Sequence, residues 1–124
     1  MKCSLLWRFS GVAAVAFSAV AAHAQAVPKP PSFAMCGVCH KTSAAEKSVL
    51  GPNLAGTAGR KSGTIAGYAF SPAMKASKIV WNRDTLIAYI AAPAKVVPGT
   101  KMAYAGQKDP AQEAAIADYL MSLK

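Results

Sequence analysis

Cys36-Gly37-Val38-Cys39-His40 is the stretch that decides how this chain is read. Two thiols three positions apart within one helical turn lie on the same side of the backbone. There they can add to the two vinyl groups of a porphyrin, and the imidazole that follows lies under the ring, placed to bind its iron. The pattern is that of covalent haem attachment. Two other readings compete with it. A thioredoxin-like dithiol needs a β-branched strand leading into the motif, and none precedes Cys36. A tetrahedral zinc site needs two further ligands. The other cysteine and histidine, Cys3 and His23, both fall in the first two dozen residues.

That leading segment reads as a secretory signal over residues 1–24. Lys2 and Arg8 give a positive start, Phe9 to Ala21 is almost unbroken apolar sequence, and Ala22-His23-Ala24 offers small residues where a signal peptidase cuts. The run is short for a membrane span, although an uncleaved anchor is the alternative. It is too poor in arginine for a mitochondrial transit peptide. The expected location is the bacterial periplasm, and export suits a protein whose thiols must meet haem outside the cytoplasm. Cleavage would leave a proline-rich leader, residues 25–31, and one small domain, residues 32–124.

Losing Lys2 and Arg8, and no acid, lowers the formal net charge from +9 to +7. Such a surface favours acidic partners. Nucleic acid is disfavoured, because the bases are mostly lysines, spread thinly, without an arginine cluster or interleaved aromatics. A domain this small with so much alanine would be marginal alone. A covalently held macrocycle would supply much of the missing core.

No segment alternates like a strand, so the fold class is all-α, with long loops that need something large to pack on. Ser32 is placed to cap a short helix that runs through Phe33 into the attachment motif. Residues 42–67, punctuated by glycine, read as loop. Ser71-Pro72 opens a short helix to Ser77. Asn82 begins another, with Leu86, Tyr89 and Ile90 on one face, and Pro93 stops it. Residues 93–108 are expected to be loop. Asp109-Pro110 opens the last helix, with Gln112 completing a capping box and Ile116, Tyr119, Leu120 and Leu123 forming its apolar stripe.

Four methionines follow the signal. Met35 adjoins Cys36 and cannot easily reach the far face of a ring held by Cys36 and His40. Met121 reads as packing or surface, and Met74 as core or pocket lining. Met102 lies in Pro98-Gly99-Thr100-Lys101-Met102, a loop able to bend over a ring. It is the candidate second axial ligand, against the alternative of a core methionine. Histidine and thioether together fill both axial positions of the iron, which suits electron transfer rather than oxygen binding.

Over roughly residues 32–124 the chain resembles the class I cytochromes c, close to the mitochondrial and bacterial cytochrome c2 types. The resemblance rests on Cys36-x-x-Cys39-His40, Gly51-Pro52-Asn53-Leu54-x-Gly56, Trp81, Thr85-Leu86-x-x-Tyr89 and the Met102 loop. It implies a small cytochrome c fold wrapped around one covalent haem c, with thioethers to Cys36 and Cys39 and iron bound by His40 and Met102. It further implies that the Pro52 carbonyl orients His40, that Arg60 and Trp81 hold a haem propionate, and that Tyr89 hydrogen-bonds the methionine sulfur. Without the resemblance, Trp81 and Tyr89 read as core aromatics and Arg60 as a solvated charge. Phe70 and Met74 depart from the mitochondrial pattern, which has a tyrosine and an asparagine there. Both changes remove polar groups from the pocket. Tyr104 replaces a phenylalanine.

The function so implied is a soluble one-electron carrier, not an enzyme, and a monomer. Lys95, Lys101 and Lys108 would steer it onto acidic surfaces of a quinol:cytochrome c reductase, a terminal oxidase or a reaction centre. The alternatives are a haem-based gas sensor or peroxidase-like enzyme with a labile sixth ligand, or an assembly role through a retained anchor.

Overall fold

The structure is a computed structural model and describes residues 27–48 and 50–123. The expected signal segment, residues 1–24, lies outside the described residues, as do residues 25 and 26 of the leader. A 3-10 turn, Pro31–Phe33, leads directly into α1, Ala34–Gly37; α2 is Pro72–Ala76, α3 Arg83–Ala91, α4 Pro93–Val96 and α5 Pro110–Ser122. Among the described residues the only β feature is an isolated antiparallel bridge between Lys61 and Val80. The architecture is all-α, as the sequence implies.

The long helices α3 and α5 pack against each other because each carries an apolar stripe at helical spacing. Leu86 and Ile90 from α3 meet Ile116, Ala117, Tyr119 and Leu120 from α5, with Phe33 from the 3-10 turn closing the cluster. Phe33 meets the Tyr119 ring edge-on at 5.1 Å, and the Lys29 ammonium stands 5.6 Å from the Phe33 centroid and 5.9 Å from that of Tyr119. This pins the leader to α5. Burying Phe33 is worth about 3–5 kcal/mol against alanine. On the outer side, Arg83 and Asp118 join the two helices through a 2.6 Å ion pair. That pair is half-exposed and adds little.

Helix boundaries show where local chemistry and expectation diverge. Ser32 caps nothing. It lies inside the 3-10 turn, whose first residue is Pro31, and the residue before that turn, Pro30, has no side-chain donor or acceptor. Ser71 does cap α2, its hydroxyl accepting from the Met74 N–H. At α3, Asn82 and Thr85 form a reciprocal capping box that its sequence does not advertise, because threonine stands where glutamate or glutamine is the usual signal. The box expected at α5 is absent. Asp109 accepts from the Ala111 N–H, but the Gln112 amide closes on the Asp109 carboxylate, and Gln107 takes the Asp109 N–H.

The segment 93–108 is not all loop, since Pro93 starts the one-turn helix α4. Ala92, kept out of the helical region by the following proline, ends α3. Pro93 itself sits at a first helical position, where its missing N–H costs nothing. Beyond Met102 the chain crosses the end of α3, where Gln107 N–H donates to the Ile90 carbonyl at 3.0 Å. Gly106 makes the crossing possible. With φ at +96°, any Cβ there would sit 2.0 Å from the Ala91 carbonyl oxygen.

Candidate functional site

Helix α1 is one turn long, and its geometry is set by the motif itself. The His40 and Cys39 N–H groups both donate to the Cys36 carbonyl, at 2.9 and 3.1 Å. The segment from Gly51 to Leu54 then docks alongside, with Gly51 N–H to the Cys39 carbonyl at 2.9 Å and Leu54 N–H to the Lys41 carbonyl at 2.8 Å. Asn53 folds the intervening loop, its amide donating to the carbonyls of Ser43 and Glu46 and its oxygen accepting from Ala55.

This docking fixes the imidazole. His40 Nδ1 lies 2.7 Å from the Pro52 carbonyl oxygen, which can only accept, so Nδ1 carries the proton. Burial pulls the His40 pKa below its ordinary value, against a smaller upward pull from that bond. The neutral ring therefore keeps a lone pair on Nε2. Gly51 lies against the ring so closely that an added Cβ would sit 2.6 Å from Cε1. Of the two thiols, neither in a disulfide, Cys36 is partly buried and Cys39 exposed. Burial pushes the Cys36 thiol up and its own backbone N–H brings it partway back.

A second short connection assembles the other wall. Trp81 N–H donates to the Arg60 carbonyl at 2.9 Å, Gly59 N–H to the Trp81 carbonyl at 2.8 Å, and Ser62 N–H to the Ile79 carbonyl at 2.7 Å. This ladder, around the single bridge, sets Arg60 and Trp81 side by side. One Arg60 Nη donates to the Ala55 carbonyl at 2.7 Å, which orients the guanidinium and leaves its other N–H groups. The Trp81 and Tyr89 rings pack at a tilt of 58° with their centroids 5.2 Å apart.

All eight candidate residues border one cavity of about 430 Å³: Cys36, Cys39, His40, Pro52, Arg60, Trp81, Tyr89 and Met102. Its remaining walls are largely apolar, with Phe33, Leu54, Phe70, Met74, Leu86, Ile90, Ile116 and Leu120 among them. This suits a flat apolar macrocycle carrying few polar groups. The donor set also fits haem: two thiols for the vinyl groups, an imidazole nitrogen and a thioether for the iron, and cationic and neutral N–H groups for the propionates.

One implied contact differs. The Tyr89 hydroxyl pairs with Thr100 Oγ1 at 2.8 Å rather than with the Met102 sulfur. Thr100 Oγ1 also accepts from the Met102 N–H at 3.3 Å, so this hydroxyl joins Tyr89 to the backbone of the methionine loop. Burial raises the Tyr89 pKa, with the Thr100 bond pulling the other way. Thr100 was legible as part of the Pro-Gly-Thr-Lys-Met stretch, but nothing in its spacing marks it as a bridge. Thr57 and Tyr68 also reach the cavity. Neither lies at a position that sequence alone singles out.

The cytochrome c family model matches residues 32–124. The chain belongs to the cytochrome c family. Cytochrome c2 iso-2 of Magnetospirillum fulvum is 49% identical over 94 residues, which is 76% of this chain and 97% of that protein. Cytochrome c2 of Rhodopila globiformis is 48% identical over 90 residues, covering 73% and 84% of the two chains. The solved structure of cytochrome cH from Methylobacterium extorquens superposes with a TM-score of 0.67 at 43% identity, covering 72% of this chain and 89% of the other. The cytochrome accordingly carries one covalent haem c, with Cys36 and Cys39 in the attachment motif, and is a monohaem electron carrier. No helix among the described residues is long and apolar enough to cross a membrane.

Proposed function

We propose that this cytochrome is a periplasmic one-electron shuttle whose iron is closed by His40 and Met102. The supporting observation is that a neutral imidazole with a free Nε2 and a methionine on a separately braced loop border the same apolar cavity. Bound haem supplies the redox-active iron, and the residues of this chain supply everything that keeps it a carrier. Cys36 and Cys39 hold the macrocycle. The Pro52 carbonyl fixes the His40 tautomer and raises its basicity as a ligand. Arg60 and Trp81 meet a propionate, offsetting the cost of burying its charge. Tyr89, through Thr100, holds the Met102 loop in place and so keeps the sixth position filled. A filled, dry site needs little rearrangement when an electron arrives or leaves.

Docking is the second half of the reading. Lys95, Lys101 and Lys108 are exposed around the methionine loop. Lys101 is braced, its ammonium donating to the Ala69 carbonyl at 2.9 Å. These cations would steer the protein, as a monomer, onto acidic surfaces of a quinol:cytochrome c reductase and of a terminal oxidase or reaction centre. Export through residues 1–24, followed by cleavage, would deliver it to that compartment.

The test is the response of wild-type ferric protein to cyanide, and of ferrous protein to carbon monoxide. A closed site binds both slowly, at a rate set by loop opening. Rapid binding would mean an open site and would favour a gas sensor or peroxidase-like enzyme instead. The mass of the mature N-terminus separates a free carrier from an anchored one.

A further inference from the structure

Met74 is a second thioether inside the site. It is only 8% exposed, borders the same cavity as Met102, and packs with Tyr89 and Val97 in the cluster that Met102 also joins. Cys36, four residues before His40, packs in the other cluster. The segments bearing the two methionines are braced against each other at two points. A Cβ on Gly99 would lie 3.2 Å from the Ala73 Cβ, and the Lys101 ammonium bonds the Ala69 carbonyl. Helix α2 presents Met74 rigidly at its backbone, through the Ser71 cap on the Met74 N–H and the Ser77 hydroxyl on the Met74 carbonyl. The side chain itself is unbranched and adaptable. Met35 is no equivalent, being 68% exposed beside Cys36, and Met121 packs in the opposite cluster.

We infer that Met74 is a reserve axial ligand, which takes the sixth position when Met102 leaves it. This rests on the reading of Met102 as the resting ligand. The exchange breaks one iron–thioether bond and forms another. Both sulfurs are neutral, so no proton moves and the charge and oxidation state of the site are unchanged. Its consequence is that opening of the Met102 loop exposes iron to small molecules only for the fraction of time that Met74 leaves the vacated position empty.

The test uses ferric holoprotein as wild type, Met102→Ala, Met74→Leu and the double variant. The weak long-wavelength sulfur-to-iron band, the spin state and cyanide affinity are read for each. Met102→Ala should keep the band and a low-spin spectrum, and the double variant should lose both. If Met74 fills the vacated position about nine-tenths of the time, cyanide binds Met102→Ala about tenfold more weakly than the double variant. A high-spin Met102→Ala protein without the band, or equal cyanide affinities in the two, overturns the reserve role while the wild-type band leaves the Met102 reading standing. Loss of the band in Met74→Leu alone overturns both, because Met74 would then be the resting ligand. Should Met102→Ala fail to retain haem, Met102→Leu, which conserves volume, carries the same comparison.

Discussion

Replacing Gly51 by alanine tests the packing of the iron-binding imidazole with one methyl group. The new Cβ would meet His40 Cε1 at 2.6 Å, Nδ1 at 2.7 Å and Nε2 at 3.1 Å. Non-bonded carbons rest at about 3.5–4.0 Å, so the ring would have to retreat by roughly 1 Å. It cannot do so freely, because Nδ1 is tied to the Pro52 carbonyl at 2.7 Å. Either that bond breaks or the Gly51–Leu54 segment moves off the motif. Overpacking of this kind costs about 1–3 kcal/mol. Guanidinium unfolding of the holoprotein should show a lowered midpoint with an unchanged slope. The sulfur-to-iron band should weaken in parallel, as the displaced imidazole shifts the iron. Gly37→Ala is the control. Its Cβ would meet only the Phe33 ring, at 4.0 Å, so a helical glycine is exchanged for alanine at a gain of up to about 1 kcal/mol. If Gly51→Ala matched wild type in midpoint and band, the imidazole would not be seated against Gly51, and the account of how its orientation is fixed would fall.

Three further outcomes follow from the geometry. Asn82→Ala removes the side-chain half of the box that starts α3, the bond from the Thr85 N–H, and leaves the backbone N–H of residue 82 on Thr85 Oγ1; it should lower stability by about 1 kcal/mol, read from the denaturant midpoint. Lys78 just beyond α2 has φ at +56°, so Lys78→Gly should raise stability by about 0.5–1 kcal/mol in the same assay; a loss would mean that the lysine side chain contributes more than its strained backbone costs. The buried Tyr89 phenol holds its proton more tightly in the fold than in the unfolded chain, so its contribution is complete below about pH 10 and is lost as pH rises beyond it. Tyr89→Phe should start less stable, by the Thr100 bond worth about 1 kcal/mol, yet lose less between neutral and alkaline pH; parallel pH profiles for the two proteins would contradict this.

The attachment motif, the α3 and α5 stripes and the Ser71 cap were legible because each is local. Their spacing alone fixes which atoms meet. Asn82 marks a helix start in the sequence, but its partner Thr85 carries no glutamate-like signal. Pro93 reads from sequence only as a stop, although proline both ends one helix and suits the first turn of the next. The pairing of Tyr89 with Thr100 was not legible at all. It depends on how the turn after Val97, closed by Thr100 N–H on the Val97 carbonyl, is set against α3. The ladder that sets Arg60 beside Trp81 joins residues about twenty positions apart through backbone groups, which carry no side-chain signature.

The claim on which the rest depends is that Met102 completes the iron site in the resting protein. The most direct measurement is an NMR spectrum of the reduced holoprotein with labelled methionine methyls, assigned through their bonds to the backbone. A ligating methyl sits over the porphyrin face and is displaced far upfield by its ring current. The account predicts that the methyl displaced farthest upfield belongs to Met102, with that of Met74, which lines the same cavity, shifted less and those of Met35 and Met121 near their ordinary positions. A farthest-displaced methyl belonging to Met74, or none displaced at all, would contradict it.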